Sequence, residues 1–71
     1  MEIFNMMFIA ALNAAKEFFK KISDSERDKR IMDNLIIHLS ETAEMSGKES
    51  VNINASFAEK CNYLNMMIAR Y

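Results

Sequence analysis

The chain has one cysteine, one glycine and no proline among its 71 residues. A single cysteine cannot form an internal disulfide, and Cys61 with His38 would supply too few ligands for a structural zinc site. One glycine cannot build a glycine-rich phosphate loop. Such a shortage of turn-forming residues also argues against an all-β fold. The sequence therefore predicts no metal and no cofactor.

The chain also lacks an excess of charge of either sign. Nine basic and ten acidic residues give a formal net charge of −1. This balance is typical neither of a strongly basic nucleic-acid binder nor of an acidic DNA mimic. Hydrophobic residues make up 51% of the chain, which is too apolar for a disordered protein. We expect one folded domain over residues 1–71.

The apolar N-terminal segment Met1–Leu12 does not have the features of a targeting sequence. It carries Glu2 and no Lys or Arg, whereas a secretory signal begins with positive charge. Asn5 and Asn13 also limit the apolar run to less than the length of a transmembrane helix. These features predict a cytoplasmic protein.

Hydrophobic spacing predicts three helices, near residues 2–22, 25–45 and 55–71. The first helix carries two adjacent apolar rows, which are Phe4, Met7, Ala11, Ala14 and Phe18, and Phe8, Leu12, Ala15, Phe19 and Ile22. Ser23 with Glu26, or Ser25 with Asp28, would cap the second helix, and Ser56 with Glu59 would cap the third. Gly47 stands where a left-handed residue ends a helix. The sequence predicts an all-α three-helix bundle, which homodimerisation through the first helix could complete.

The predicted core takes its large residues from all three helices. It consists of Phe4, Phe8, Phe18, Leu35, Ile36, Leu39, Phe57 and Leu64. Between the second and third helices, Val51–Asn54 alternates apolar and polar residues. We interpret this short segment as an extended connector, and the alternative is an edge strand that pairs with a second copy.

No catalytic arrangement is evident. His38 is predicted on the polar side of the second helix beside Glu41 and Thr42, whereas Cys61 lies on an apolar row and is expected to act as a small hydrophobe. Acidic residues are also poorly placed for metal chemistry. Glu41 and Glu44 lack a Glu-x-x-His partner helix, and the acidic residues near Asp24 lack the spacing and the glycine of a calcium loop. We predict that the protein is not an enzyme.

Two binding functions are weaker alternatives. The second and third helices resemble a helix-turn-helix unit whose recognition helix would present Lys60, Asn62, Asn65 and Arg70. However, the linker over residues 46–55 is longer than the usual turn, and basic residues are few in this half of the chain. Lipid binding through the first helix is disfavoured because its polar side carries asparagines rather than a basic band.

Several residues point instead to a protein partner. Ile9 and Ile37 are apolar residues on predicted polar sides, and Met66, Tyr63 and Tyr71 are of types that interfaces favour. We expect these five residues to contact a partner protein. The predicted function is that of a small inhibitor or adaptor that binds and covers another protein. Phage and plasmid inhibitors of host systems, and small secretion chaperones, are similar in size and composition.

Overall fold

A computed structural model describes residues 2–71 and contains three helices. These are α1 (Glu2–Lys20), α2 (Glu26–Met45) and α3 (Phe57–Arg70). The all-α three-helix prediction is confirmed, and every predicted boundary within the described residues lies within two residues of the observed one. α1 and α2 form the more extensive helix pair, and α3 packs against both.

α2 begins at a cap that the sequence predicted as one of two possibilities. Ser25 is the N-cap, and its Oγ accepts a hydrogen bond from the Asp28 N–H at 3.1 Å. The Asp28 carboxylate in turn accepts from the Ser23 N–H at 2.9 Å and from the Ser23 hydroxyl at 2.7 Å. These bonds lower the pKa of Asp28 because they stabilise the charged carboxylate. Of the two predicted pairs, it is therefore Ser25 with Asp28 that caps the helix.

α2 ends in a Schellman motif centred on Gly47. This glycine has a φ of 73°, in the left-handed region. The Gly47 N–H donates to the Glu44 carbonyl at 3.1 Å, and the Lys48 N–H donates to the Ala43 carbonyl at 2.8 Å. Two carbonyls at the end of the helix thereby find donors, and the chain reverses direction toward α3.

Replacing Gly47 with Ala tests this cap. A Cβ at this position would meet nothing within 4 Å, so the cost is conformational and not steric. We expect Gly47→Ala to lower the free energy of unfolding by about 1 kcal/mol, measured by urea denaturation. Gly47→Asn is the control and should lose less, because asparagine tolerates the left-handed conformation better. An alanine variant as stable as the wild type would contradict the assignment.

A capping box begins α3, as predicted. The Ser56 Oγ accepts from the Glu59 N–H at 3.1 Å, and the Glu59 carboxylate accepts from the Ser56 N–H at 3.3 Å. Val51–Asn54 forms no strand within the chain, as expected of a connector, and its pairing with a second copy stays a prediction. Ser40 on α2 fixes this connector, because its hydroxyl oxygen accepts from the Val51 N–H at 2.9 Å.

The core lies where the three helices meet. Its buried apolar residues are Phe8, Ala11, Leu12, Ala15, Met32, Ile36, Leu39, Ala43, Tyr63, Leu64 and Met67. Four of the predicted core residues belong to this set, and Phe18, Leu35 and Phe57 pack against it while half-buried. Phe4 is half-buried and lies outside the cluster, so its prediction as a core residue is wrong.

Only one of the two apolar rows on α1 faces the core along its length. Phe8, Leu12 and Ala15 are buried, whereas Met7 and Ala14 of the other row are exposed. The buried residues of α1 are Phe8, Ala11, Leu12 and Ala15, which lie on one side of the helix, so packing against α2 and α3 leaves part of the other row in solvent. The apolar side of α1 is therefore wider than the core needs.

Lys48 and the C-terminal Tyr71 close the end of the core near Phe8. The Phe8 and Tyr71 rings meet edge to face, with centroids 5.2 Å apart. The Lys48 Nζ lies 4.8 Å from the Phe8 centroid and donates to the Asn5 Oδ1 at 2.8 Å. This cation–π contact and hydrogen bond attach the segment just after α2 to α1.

Candidate protein-interaction surface

The first three turns of α1 carry an exposed apolar surface. Ile3 and Met6 are 62% and 64% exposed, and Met7 and Ile9 are each 40% exposed. Ala10 is also exposed, and Glu2 is the one polar residue among the exposed positions from 2 to 10. We call Ile3, Met6, Met7, Ile9 and Ala10 the helix 1 surface.

The helical repeat explains why this surface points outward. Phe8 and Leu12 are turned toward α2 and α3, so the residues on the other side of the same turns face solvent. Single exposed apolar residues are ordinary, but a contiguous apolar patch is typical of an interaction site. Methionine side chains suit such a site because they are flexible and polarizable.

The structure separates the five residues that the sequence predicted as partner contacts. Ile9 lies on the helix 1 surface. Tyr71 is 54% exposed, although one side of its ring packs against Phe8. Met66 is half-buried against the core. Of these three residues, Ile9 and Tyr71 are therefore exposed to a partner, whereas Met66 is exposed only in part.

Tyr63 needs correction as a contact residue. Its side chain belongs to the core and is 6% exposed, and its hydroxyl donates to the Glu49 carbonyl at 2.6 Å. Burial raises the pKa of Tyr63 because the charged phenolate is disfavoured away from water. The tyrosine uses its polar end to fix the chain at Glu49, between α2 and α3, and a partner cannot reach the ring while the core is intact.

Ile37 lines a groove between α2 and the connector. The groove has a volume of about 250 Å³, and Val51 and Ile53 supply its other apolar side chains. Glu41 and Glu44 lie along it as well. Ile37 is half-buried and lies outside the core cluster, so it remains a candidate contact residue.

His38, Glu41 and Thr42, which the sequence placed on one polar side of the second helix, all line an open groove of about 490 Å³ beside α2. The His38 Nδ1 lies 4.0 Å from the Glu41 Oε1. Thr42, however, is fully buried, and its hydroxyl donates to the Leu39 carbonyl at 2.8 Å. The prediction that Thr42 faces solvent was wrong, because the buried side of α2 is wider than the spacing of the large apolar residues of that helix indicated.

Cys61 has the environment of a structural cysteine. It is half-buried against the core on α3. Burial raises the pKa of the Cys61 thiol, and the nearby Asp33 carboxylate raises it further. Because the thiolate is the nucleophilic form, both effects oppose reactivity.

Lys60 needs correction as a solvent-facing residue of a recognition helix. Its side chain is 6% exposed, and its Nζ contacts the Asp33 Oδ1 at 2.8 Å. Arg70 is also engaged, with its Nη1 3.1 Å from the Glu49 Oε1. α3 therefore offers a nucleic acid fewer free cations than the sequence indicated.

Two further features of residues 2–71 concern metals and membranes. Over this range, no three His, Cys, Asp or Glu side chains come together as a group that could hold a metal ion. None of the helices in it combines the length and the apolar character required to cross a membrane.

Comparison with protein-family models, with curated proteins and with solved structures gave no match.

Four residues of the helix 1 surface were not predicted as contacts. They are Ile3, Met6, Met7 and Ala10. The sequence nevertheless indicates that some apolar residues here are exposed, because the first three turns of α1 are apolar on nearly every side. Two neighbouring helices cannot cover all sides of such a helix, so some of its apolar residues must face solvent or a partner.

Proposed function

We propose that the protein is a non-catalytic interaction module that binds and covers a partner protein as a small inhibitor or adaptor. The helix 1 surface is the observation that carries this proposal. Its apolar residues face solvent although the core beneath α1 is already filled. A cytoplasmic inhibitor of the phage or plasmid type is the form that the small size and composition favour.

The spacing within the helix 1 surface indicates the shape of the partner's site. Ile3, Met7 and Ala10 are separated by four and then three residues, so they form one ridge along the helix. An amphipathic helix that enters an apolar groove uses anchors at this spacing. We therefore propose that the partner contributes an apolar groove, into which the beginning of α1 docks.

The proposal is tested by crosslinking and affinity capture in cells of the source organism. The double variant Ile3→Lys/Met6→Lys places two charges on the helix 1 surface, and burying them in an apolar groove would be costly. Both side chains are more than half exposed, so the fold should be retained. We expect this variant to lose at least about 90% of the specific partner captured by the wild type, which corresponds to over 1 kcal/mol of binding.

A matched control adds the same charge elsewhere. Asn62→Lys/Asn65→Lys places two lysines on the exposed side of α3, away from the helix 1 surface. This control should capture the same partner as the wild type. Equal capture by Ile3→Lys/Met6→Lys, or binding of the wild type to lipid vesicles and to no protein, would contradict the proposal.

A further inference from the structure

The outer side of α2 carries a second surface, which is a charged stripe. Its residues follow one another at alternating intervals of three and four, and they are Arg27, Arg30, Asn34, Ile37, Glu41 and Glu44. We call them the helix 2 stripe. Ile37 is half-buried and the other five are exposed. The stripe is basic at its beginning and acidic at its end.

The charged residues of this stripe make few ion pairs within the fold. Arg27, Arg30 and Glu44 form no ion pair within residues 2–71, and Glu41 approaches only His38, at 4.0 Å. Exposed charges without partners are common, so this alone indicates nothing. It does show that the pattern is not required by a network inside the molecule.

The order of charges along the stripe, basic first and acidic last, is also unfavourable for the dipole of the helix that carries it. A helix favours acidic residues near its beginning and basic residues near its end. Glu26 and Asp28 in the first turn follow this rule, whereas the stripe reverses it, and no basic residue stands in the last turn. Because the stripe gains nothing from its own helix dipole, its charges fit an intermolecular role better than an intramolecular one.

We infer that the helix 2 stripe binds the helix 2 stripe of a second copy in an antiparallel, two-fold symmetric pair. A two-fold axis that passes between Leu35 and Ile36 places Arg30 opposite Glu41 of the second copy. The same rotation places Arg27 opposite Glu44. All four charge contacts are then attractive, whereas a parallel pair would place like charges opposite each other.

The spacing of the stripe fits this arrangement. Alternating intervals of three and four residues keep one seam of a helix facing its neighbour, as in a coiled coil. In an antiparallel pair, a residue that begins a three-residue interval on one helix faces a residue that ends such an interval on the other. Asn34 therefore lies opposite Ile37 of the second copy, near the axis. Ile31 and Met45 flank the seam on one edge, and neither belongs to the core cluster. These apolar residues would exclude water from the neighbouring charge pairs.

This inference does not depend on the proposed function, because the helix 1 surface and the helix 2 stripe share no residue. A pair formed through α2 would carry two copies of the helix 1 surface. Binding to a partner with repeated sites would then gain from the linkage of the two copies. The homodimer predicted from the sequence would form through α2 and not through α1.

Charge reversal tests the arrangement by sedimentation equilibrium of the full chain. Arg30→Glu and Glu41→Arg should each weaken self-association at least about tenfold, since each creates two like-charge contacts across the axis. An equimolar mixture of the two variants should associate, because every Glu then faces an Arg. The double variant Arg30→Glu/Glu41→Arg should also dimerise as the wild type does.

Three controls make the outcome decisive. Far-UV circular dichroism should show unchanged helicity, Met6→Lys should leave the dimer intact, and about 1 M salt should weaken the wild-type dimer. A wild type that stays monomeric up to about 500 µM would overturn the inference, since four attractive charge contacts across the axis should give measurable association at that concentration. Loss of the dimer in Met6→Lys but not in Arg30→Glu would also overturn it and would assign dimerisation to the helix 1 surface.

Discussion

Replacing Phe8 with Ala is expected to cost about 3–5 kcal/mol of unfolding free energy, because the cavity left by a buried ring is not refilled. Phe8 is fully buried and contacts both Tyr71 and Lys48 at the closed end of the core. A domain of this size without disulfides has a stability of roughly 3–5 kcal/mol. Phe8→Ala should therefore leave a large part of the population unfolded at room temperature.

Far-UV circular dichroism and urea denaturation measure this effect. Phe8→Leu is included because it keeps most of the apolar volume, and we expect it to lose about 1–2 kcal/mol and still give a complete unfolding curve. Phe4→Ala is the matched control one turn earlier on α1. Phe4 lies outside the core cluster, so it should cost about 1 kcal/mol or less. Equal losses for Phe4→Ala and Phe8→Ala would contradict the assigned core.

The ends of the helices could be predicted from sequence because their determinants are local. Ser25 reaches Asp28 three residues ahead, and Ser56 and Glu59 bond each other across the same interval. The left-handed turn at Gly47 depends on one residue and the carbonyls just before it. Such patterns remain visible in a single chain because no distant partner is needed.

The direction in which each helix faces could be predicted only in part. Apolar spacing identified the residues able to face a core, but the packing of α2 and α3 decided which row of α1 is covered. Met7 and Leu12 are both apolar residues of α1, yet one is exposed and the other buried. The difference depends on contacts between elements far apart in the sequence, which periodicity does not encode.

Tyr63 and Lys60 show the same limit for polar groups. Tyr63 has the amphipathic side chain of an interface residue, but its hydroxyl bonds the carbonyl of Glu49, fourteen residues earlier. Lys60 has the character of a solvated residue, but Asp33 on α2 lies within hydrogen-bond distance. Both residues are buried because a distant group satisfies their polar ends. Composition alone would place both at the surface.

The Lys60–Asp33 pair provides the second large prediction. The Lys60 side chain is 6% exposed and that of Asp33 is 32% exposed, with 2.8 Å between the Nζ and the Oδ1. Removing the carboxylate leaves a buried ammonium without its anionic partner, which is far more costly than losing an exposed ion pair. We expect Asp33→Asn to lower the free energy of unfolding by about 2 kcal/mol, below the full cost for a buried pair because water reaches Asp33.

A double-mutant cycle separates this pair from ordinary packing. Lys60→Met keeps the apolar stem and removes the charge, so it should cost less than about 1 kcal/mol, and Asp33→Asn should add little to it. Glu49→Gln is the control, because it breaks the exposed ion pair with Arg70 and should cost about 0.5 kcal/mol or less. If Asp33→Asn cost no more than Glu49→Gln, the buried ammonium would be stabilised without its carboxylate. The large penalty predicted here requires that Lys60 cannot reach water when Asp33 is lost.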